Sequence, residues 1–134
     1  MNDKINNIQI KLKKDPKNYD LNLKYGLLYI NEKNYIEAKK IFKKIITINK
    51  KRYEGYLNLA NVYTILNQVK NSEYTLNSYI EKYDYNINII SSLGVIYHNQ
   101  KNFNKLSKLI NKYIDVEINY LLFFFKSSVC EDRK

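Results

Sequence analysis

The side chains able to do covalent chemistry are few and isolated. There is one histidine, His98, and one cysteine, Cys130, and neither sits in a patterned neighbourhood. A nucleophile needs a base within hydrogen-bond reach, and one copy of each supplies no such pairing in the sequence. The 13 acidic residues are dispersed, and no glycine-rich phosphate loop or metal-ligand spacing is present. Catalysis, a metal and a cofactor are therefore not expected. Two other polar populations are abundant. Lys39, Lys40, Lys43 and Lys44, and again Lys101, Lys105, Lys108 and Lys112, recur at short helical steps. Asparagine is frequent throughout, and its amide both donates and accepts, so it can read a peptide backbone without demanding a particular side chain. The chemistry on offer is recognition.

Charge alone does not choose the partner. The net charge is +10, which suits nucleic acid or an anionic surface. Lysine, however, outnumbers arginine 21 to 2, alongside many Asn, Ile and Tyr, the signature of AT-rich codons. Selection for phosphate would favour the bidentate guanidinium. The N-terminus, Met1-Asn2-Asp3-Lys4, has no apolar signal core, and the run Tyr120 to Phe125 is too short to cross a bilayer. These features lead to the expectation of a soluble, cytoplasmic chain without membrane insertion. One cysteine excludes an internal disulfide framework.

The elements that must carry these groups are legible from a repeat. Tyr29, Tyr63 and Tyr97 stand at intervals of 34 residues. Three residues before each comes Gly26, Ala60 or Gly94, and one earlier Tyr25, Leu59 or Leu93. Tyr35, Val69 and Phe103 follow the tyrosines by six, and Phe42, Leu76 and Ile110 by 13. With 3 Gly and 1 Pro there is little turn chemistry for sheets. A period of this length marks helix pairs that bury their apolar faces by stacking on neighbours. In the first unit, Leu21–Tyr29 forms one helix. After the polar break 31–34, Tyr35, Ala38, Ile41, Phe42, Ile45 and Ile48 make the buried stripe of the second, started by an Asn34–Glu37 capping box. Where the two helices cross, the spacing sets Gly26 against Ala38, Ala60 against Ser72, and Gly94 against Leu106, the last pair being splayed or shifted.

The expected organisation is a single all-α solenoid of antiparallel helix pairs. Residues 3–17 hold the second helix of a partial leading unit. Units follow at 19–52, 53–86 and 87–120, and 121–134 is either a cap or the start of a fourth. The neighbouring Phe123, Phe124 and Phe125 cannot all face a core, which marks a contact site or a truncation.

This pattern resembles the tetratricopeptide repeat, whose 34-residue unit prefers a small residue at position 8 and Tyr at 11. Gly26, Ala60, Gly94 and Tyr29, Tyr63, Tyr97 satisfy both in all three units. Leu59 and Leu93 fit position 7, Ala38 and Ser72 fit position 20, Tyr56 alone keeps the aromatic of position 4, and Pro16 is the one terminal proline. Position 15 departs from glycine with Lys33, Asn67 and Lys101, and position 27 carries Ile45, Tyr79 and Tyr113 where a small residue is usual.

The resemblance implies a right-handed superhelix whose first helices line a concave groove for an extended peptide or a partner helix. By family position the groove residues are Leu23, Lys24, Leu27 and Asn31 in unit one. In unit two they are Glu54, Leu57, Asn58, Asn61 and Ile65. In unit three they are Asn88, Ser91, Ser92, Val95, His98 and Asn99. The carboxylate clamp of co-chaperone members is not expected, because its cationic positions here hold Leu23, Asn88 and Ser92. Beside this protein- or peptide-binding reading stand two alternatives: a nucleic-acid-binding solenoid using the lysine faces, and the substrate-selecting repeat domain of a larger enzyme. No aromatic ladder for base stacking accompanies the lysines, which disfavours the former. The oligomeric state and the identity of the partner are not encoded in this pattern.

Overall fold

Every described residue that belongs to a regular element is helical, as the repeat demands. A computed structural model describes residues 3–116. The run Phe123–Phe125, Cys130 and the expected segment 121–134 lie outside the described residues. Among the described residues seven helices follow one another: α1 (Asp3–Lys14), α2 (Tyr19–Asn31), α3 (Tyr35–Ile48), α4 (Tyr53–Ile65), α5 (Val69–Tyr83), α6 (Ile87–Asn99) and α7 (103–116). The chain is a solenoid of helix pairs. α2 packs on α3 and α4 on α5 within a pair, while α1 packs on α2 and α3 on α4 between pairs. Packing also divides the chain into two units, residues 1–93 and 94–134, with the boundary inside α6.

The turns inside the three pairs share one construction. Asn34 N–H donates to Tyr29 O at 2.8 Å and Lys33 N–H to Ile30 O at 2.9 Å. The same pair of bonds recurs from Gln68 to Tyr63 (2.7 Å) with Asn67 to Thr64 (3.0 Å), and from Asn102 to Tyr97 (2.9 Å) with Lys101 to His98 (2.9 Å). This is the Schellman closure, in which one residue adopts the left-handed conformation so that the last helical carbonyls find donors. Lys33, Asn67 and Lys101 are those residues, at φ 58°, 58° and 56°. The turn that the family assigns to glycine is thus kept without it. Asn34 Oδ1 then accepts from Glu37 N–H at 3.4 Å to start α3, and Asn102 Oδ1 from Lys105 N–H at 3.2 Å to start α7. The cap expected at Asn34 forms, while Glu37 directs its carboxylate to Lys40 Nζ at 2.8 Å.

The core of the unit 1–93 collects Tyr19, Ala38, Ile41, Phe42, Ile45, Leu59 and Val62, with Leu23, Tyr25, Tyr29 and Tyr63 packed around it. One expectation is corrected here. Gly26 makes room for Phe42, since a Cβ at Gly26 would lie 2.5 Å from Phe42 Cε1, inside any real contact. A ring one turn beyond Ala38 reaches the crossing because side chains on a helix lean toward its N-terminus. The second crossing follows the expectation: Ser72 Oγ donates to Ala60 O at 2.8 Å. Asn22, at the position where the family prefers an aromatic, is buried and satisfied, donating through Nδ2 to Asn18 O (2.7 Å) and Pro16 O (3.0 Å). In the unit 94–134, Ile96, Tyr97 and Tyr113 are buried, and a Cβ at Gly94 would be 3.8 Å from Leu106 Cδ1.

Candidate interaction surface

The first helices are held side by side by a polar joint at their N-termini. Arg52, just before α4, lies over the Tyr19 ring with its guanidinium carbon 3.9 Å from the centroid. Its Nη1 donates to Asp20 Oδ1 at 3.1 Å and its Nη2 to Glu54 Oε1 at 2.9 Å. Tyr19 OH accepts the Gly55 N–H at 3.1 Å and donates to Glu54 Oε2 at 3.5 Å. Burial, first, and then the neighbouring Glu54 push the Tyr19 phenol up to about 12, against the opposing pull of the Gly55 and Arg52 contacts. For Glu54, burial acts to raise the pKa, but hydrogen bonds from Arg52 and the backbone outweigh it and hold the carboxyl below its ordinary value. Asp20 and Glu54 occupy the same position in successive repeats, so one arginine ties the two repeats together. This joint was not foreseen from sequence, because arginine at the residue before a helix carries no periodic signal.

Beyond the joint, the groove positions divide by what they present. On α2, Lys24, Leu27 and Asn31 are exposed, and Leu23 is half-buried against the core. On α4, Asn61 and Ile65 are exposed, while Glu54, Leu57 and Asn58 are half-buried. Leu27 and Ile65 leave 41% and 44% of their surface open, more than ordinary packing residues. Glu54 is committed to the joint. Asn58 Nδ2 donates to Glu54 O at 2.8 Å, so this amide is turned partly back onto its own helix. α2 and α4 touch directly, which brings their exposed positions onto adjoining ground. On α6, Asn88 and Ser91 are exposed and Ser92 Oγ donates to Asn88 O at 2.9 Å. In the unit 94–134, Val95, His98 and Asn99 are exposed, and the His98 ring meets Phe103 edge-on at 6.5 Å.

Of the lysines in the two stretches, Lys39 is half-buried and the others are exposed. Lys40 is engaged by Glu37, Lys43 Nζ stands 6.0 Å from the Tyr63 ring centroid, and Lys44 is exposed. In the other unit Lys105 lies 5.5 Å from the Tyr97 ring centroid, and Lys101, Lys108 and Lys112 are exposed. Among the described residues, no group of three His, Cys, Asp or Glu could hold a metal ion, and no helix is long and apolar enough to cross a membrane.

A second concavity was missed from sequence. Between α1 and α2 opens a cleft of about 390 Å³, walled by Lys4, Asn7, Ile8 and Lys11 on one side and by Leu21, Lys24, Leu27, Leu28 and Asn31 on the other.

Comparison with known proteins accords with this architecture. The sequence model of the tetratricopeptide repeat matches residues 19–52. No curated protein matches the chain. Among solved structures, the MamA protein superposes with a TM-score of 0.67 at 21% identity, covering 84% of this chain and 62% of that one. A tetratricopeptide repeat protein from Parabacteroides merdae ATCC 43184 gives 0.65 at 22% identity, covering 83% and 43%. YrrB, described as a TPR protein with an unusual peptide-binding site, gives 0.66 at 11% identity, covering 84% and 58%. The chain therefore spans less than two thirds of each of these three relatives.

Proposed function

Residues 19–52 are a tetratricopeptide repeat in a chain with the fold of such proteins, and from that premise we propose a non-catalytic interaction module whose first helices grip a peptide segment or a partner helix. Tetratricopeptide repeats are generally interaction modules. The observation that carries the reading to this surface is the exposure of apolar side chains beside amides on the first helices. Leu27 of α2 and Asn61 of α4 share one repeat position, and Asn31 and Ile65 share another, so apolar and amide groups alternate in both directions. All four are exposed. Such a lattice offers a bound chain small apolar contacts interleaved with groups that pair with its backbone. Asn88, Ser91, Ser92, Val95, His98 and Asn99 extend the same register along α6. A peptide-binding site in YrrB supports the reading by analogy of fold.

The test is a pull-down from source lysate, with and without nuclease, comparing the wild type with Asn61→Ala plus Ile65→Ser. Both positions are exposed, so circular dichroism should show unchanged helicity. Proteins retained by the wild type, lost by the variant and indifferent to nuclease are the expected result. Partners that persist in the variant but vanish with nuclease, and weaken steeply with salt, would instead assign function to the lysine faces and overturn the groove reading.

A further inference from the structure

We propose that a cleft on the second-helix side of the first repeat takes an aromatic side chain, flanked by carboxylates, from a partner protein. The cleft holds about 420 Å³ and is walled by Leu12 and Lys13 of α1, Asn22 and Tyr25 of α2, and Ile41 and Lys44 of α3. None of these is a groove position of the first helices. Repeat register explains why there is space here. Asn22 stands 34 residues before Tyr56. In the second repeat that position carries a ring, which is buried and meets Tyr79 edge-on at 5.0 Å between centroids. In the first repeat the shorter Asn22 replaces it, and its amide is turned back to Pro16 O and Asn18 O. The first repeat thus lacks a ring at a position that the second repeat fills.

The walls say what would occupy the space. Leu12 and Ile41 are buried and Tyr25 is half-buried, so the surroundings are largely apolar. Gln9 Nε2 donates to Tyr25 OH at 2.8 Å, and that hydroxyl lies 3.1 Å from Tyr29 OH, which fixes the Tyr25 ring in place. Lys13 and Lys44 stand exposed on the α1 and α3 walls, and no carboxylate lines the cleft. Among the described residues neither ammonium is in an ion pair. Their counterparts in the second repeat are the uncharged Thr47 and Ser78. Two cations therefore frame the cleft whose ring is missing. A purely apolar ligand would leave both ammonium groups unanswered, and a purely acidic one would leave the apolar walls wet. A ring inserted beside Asn22, with Glu or Asp next to it in the partner's chain, meets both demands.

The experiment titrates the full chain with a fluorescent peptide carrying one phenylalanine between glutamates. One control peptide has alanine in place of the phenylalanine, and another has glutamines in place of the glutamates. Saturable anisotropy with the first peptide is expected, weakened about tenfold or more without the ring and about threefold or more without the glutamates. Lys13→Gln plus Lys44→Gln should abolish the preference for glutamate over glutamine. Asn22→Tyr, which supplies the ring from within, should abolish binding. Asn61→Ala plus Ile65→Ser should change nothing, which separates this site from the groove. Should Asn22→Tyr unfold, as circular dichroism reports, the lysine variant decides by itself. Equal binding of the alanine peptide, a glutamate preference that survives the lysine variant, undiminished binding to a folded Asn22→Tyr chain, or loss in the groove variant would each overturn the proposal. So would a dimer seen by sedimentation that the lysine variant dissolves, which would make a second copy the occupant. Broadening of the Leu12 and Lys13 amides by a spin label on Cys130 at high dilution would assign the cleft to the chain's own tail and overturn it equally.

Discussion

Gly26 and Gly94 hold the same position in their repeats, yet the structure asks opposite things of them. At Gly26 a Cβ would lie 2.5 and 2.7 Å from Phe42 Cε1 and Cζ. The ring is fully buried and cannot step aside. At Gly94 a Cβ would meet Leu106 and Leu109 at 3.8 and 3.9 Å, ordinary contact. The cause lies in the facing helix. In α3 a small Ala38 is followed one turn later by Phe42, which projects into the crossing. In α7 that contrast of sizes is absent: Leu106 stands where Ala38 does, and the equally large Ile110, in the place of Phe42, is 49% exposed. A glycine retained at one repeat position is therefore required in the first repeat and only tolerated in the third.

The widest separation should come from the facing side chains themselves. Phe42→Ala is expected to cost about 3–4 kcal/mol, the usual range for a large buried ring. Ile110→Ala, already half open to water, should cost less than about 1 kcal/mol. Urea unfolding of both variants measures the contrast, and comparable losses would show that the third crossing is as closely packed as the first. The glycines come next. Gly26→Ala should destabilise by roughly 1–2 kcal/mol, overpacking outweighing the entropic advantage of alanine in a helix. Gly94→Ala should stabilise by about 0.5–1 kcal/mol, because only that advantage remains. The same sign for both would break the comparison.

Alkaline titration probes the same two repeats through their first residues. Tyr19 begins the first repeat with its phenol pushed up to about 12 by burial, and Tyr29 reaches about 12 chiefly through the hydrogen bond with Tyr25. The third repeat begins instead with Ile87. A raised phenol pKa means that the folded state favours the protonated form. Its contribution is fully present below the unfolded value near 10 and is lost as pH rises through about 12. A fall in Tm between pH 10 and 12 is expected, reduced in Tyr19→Phe because that variant cannot ionise there. An unchanged pH profile in the variant would mean that Tyr19 is not protected as the joint requires.

The smallest effects concern the left-handed turns. Lys33→Gly and Lys101→Gly should each stabilise by roughly 0.5–1 kcal/mol, relief of the steric cost of φ near 60° exceeding the added chain entropy. Asn67→Gly should stay within about 0.5 kcal/mol, since asparagine already accepts this conformation. Thermal melts of the three variants give the order, and a destabilised Lys33→Gly would show that the lysine side chain contributes more than its backbone costs.

Much of the architecture was readable because it answers to spacing. The 34-residue period, the cap at Asn34 and the buried stripe from Ala38 to Ile45 all express helix geometry that acts within a few residues. The spacing also placed the periodic tyrosines, whose carbonyls turn out to close the turns, so position 11 is followed by a left-handed residue at 15 even where glycine is missing. The candidate surface was legible only in part. Leu27, Asn61 and Ile65 are exposed, whereas Glu54 is drawn into the joint with Arg52 and Tyr19, and Asn58 bonds its own helix. The joint depends on Tyr19 and Asp20 meeting groups 32 to 36 residues further along the chain, beyond the reach of any local pattern.

By itself, then, the amino-acid order determined that the chain is built from helix pairs, where each pair turns, and which face of each helix is apolar. Helical periodicity and capping are short-range properties, so they survive in one dimension. Tertiary structure alone decided which ring fills the first crossing and which arginine joins two repeats. Those outcomes turn on distances between side chains from different helices, and a contact at 2.5 Å or 3.8 Å is set by the packing of whole elements, not by the residue at either end.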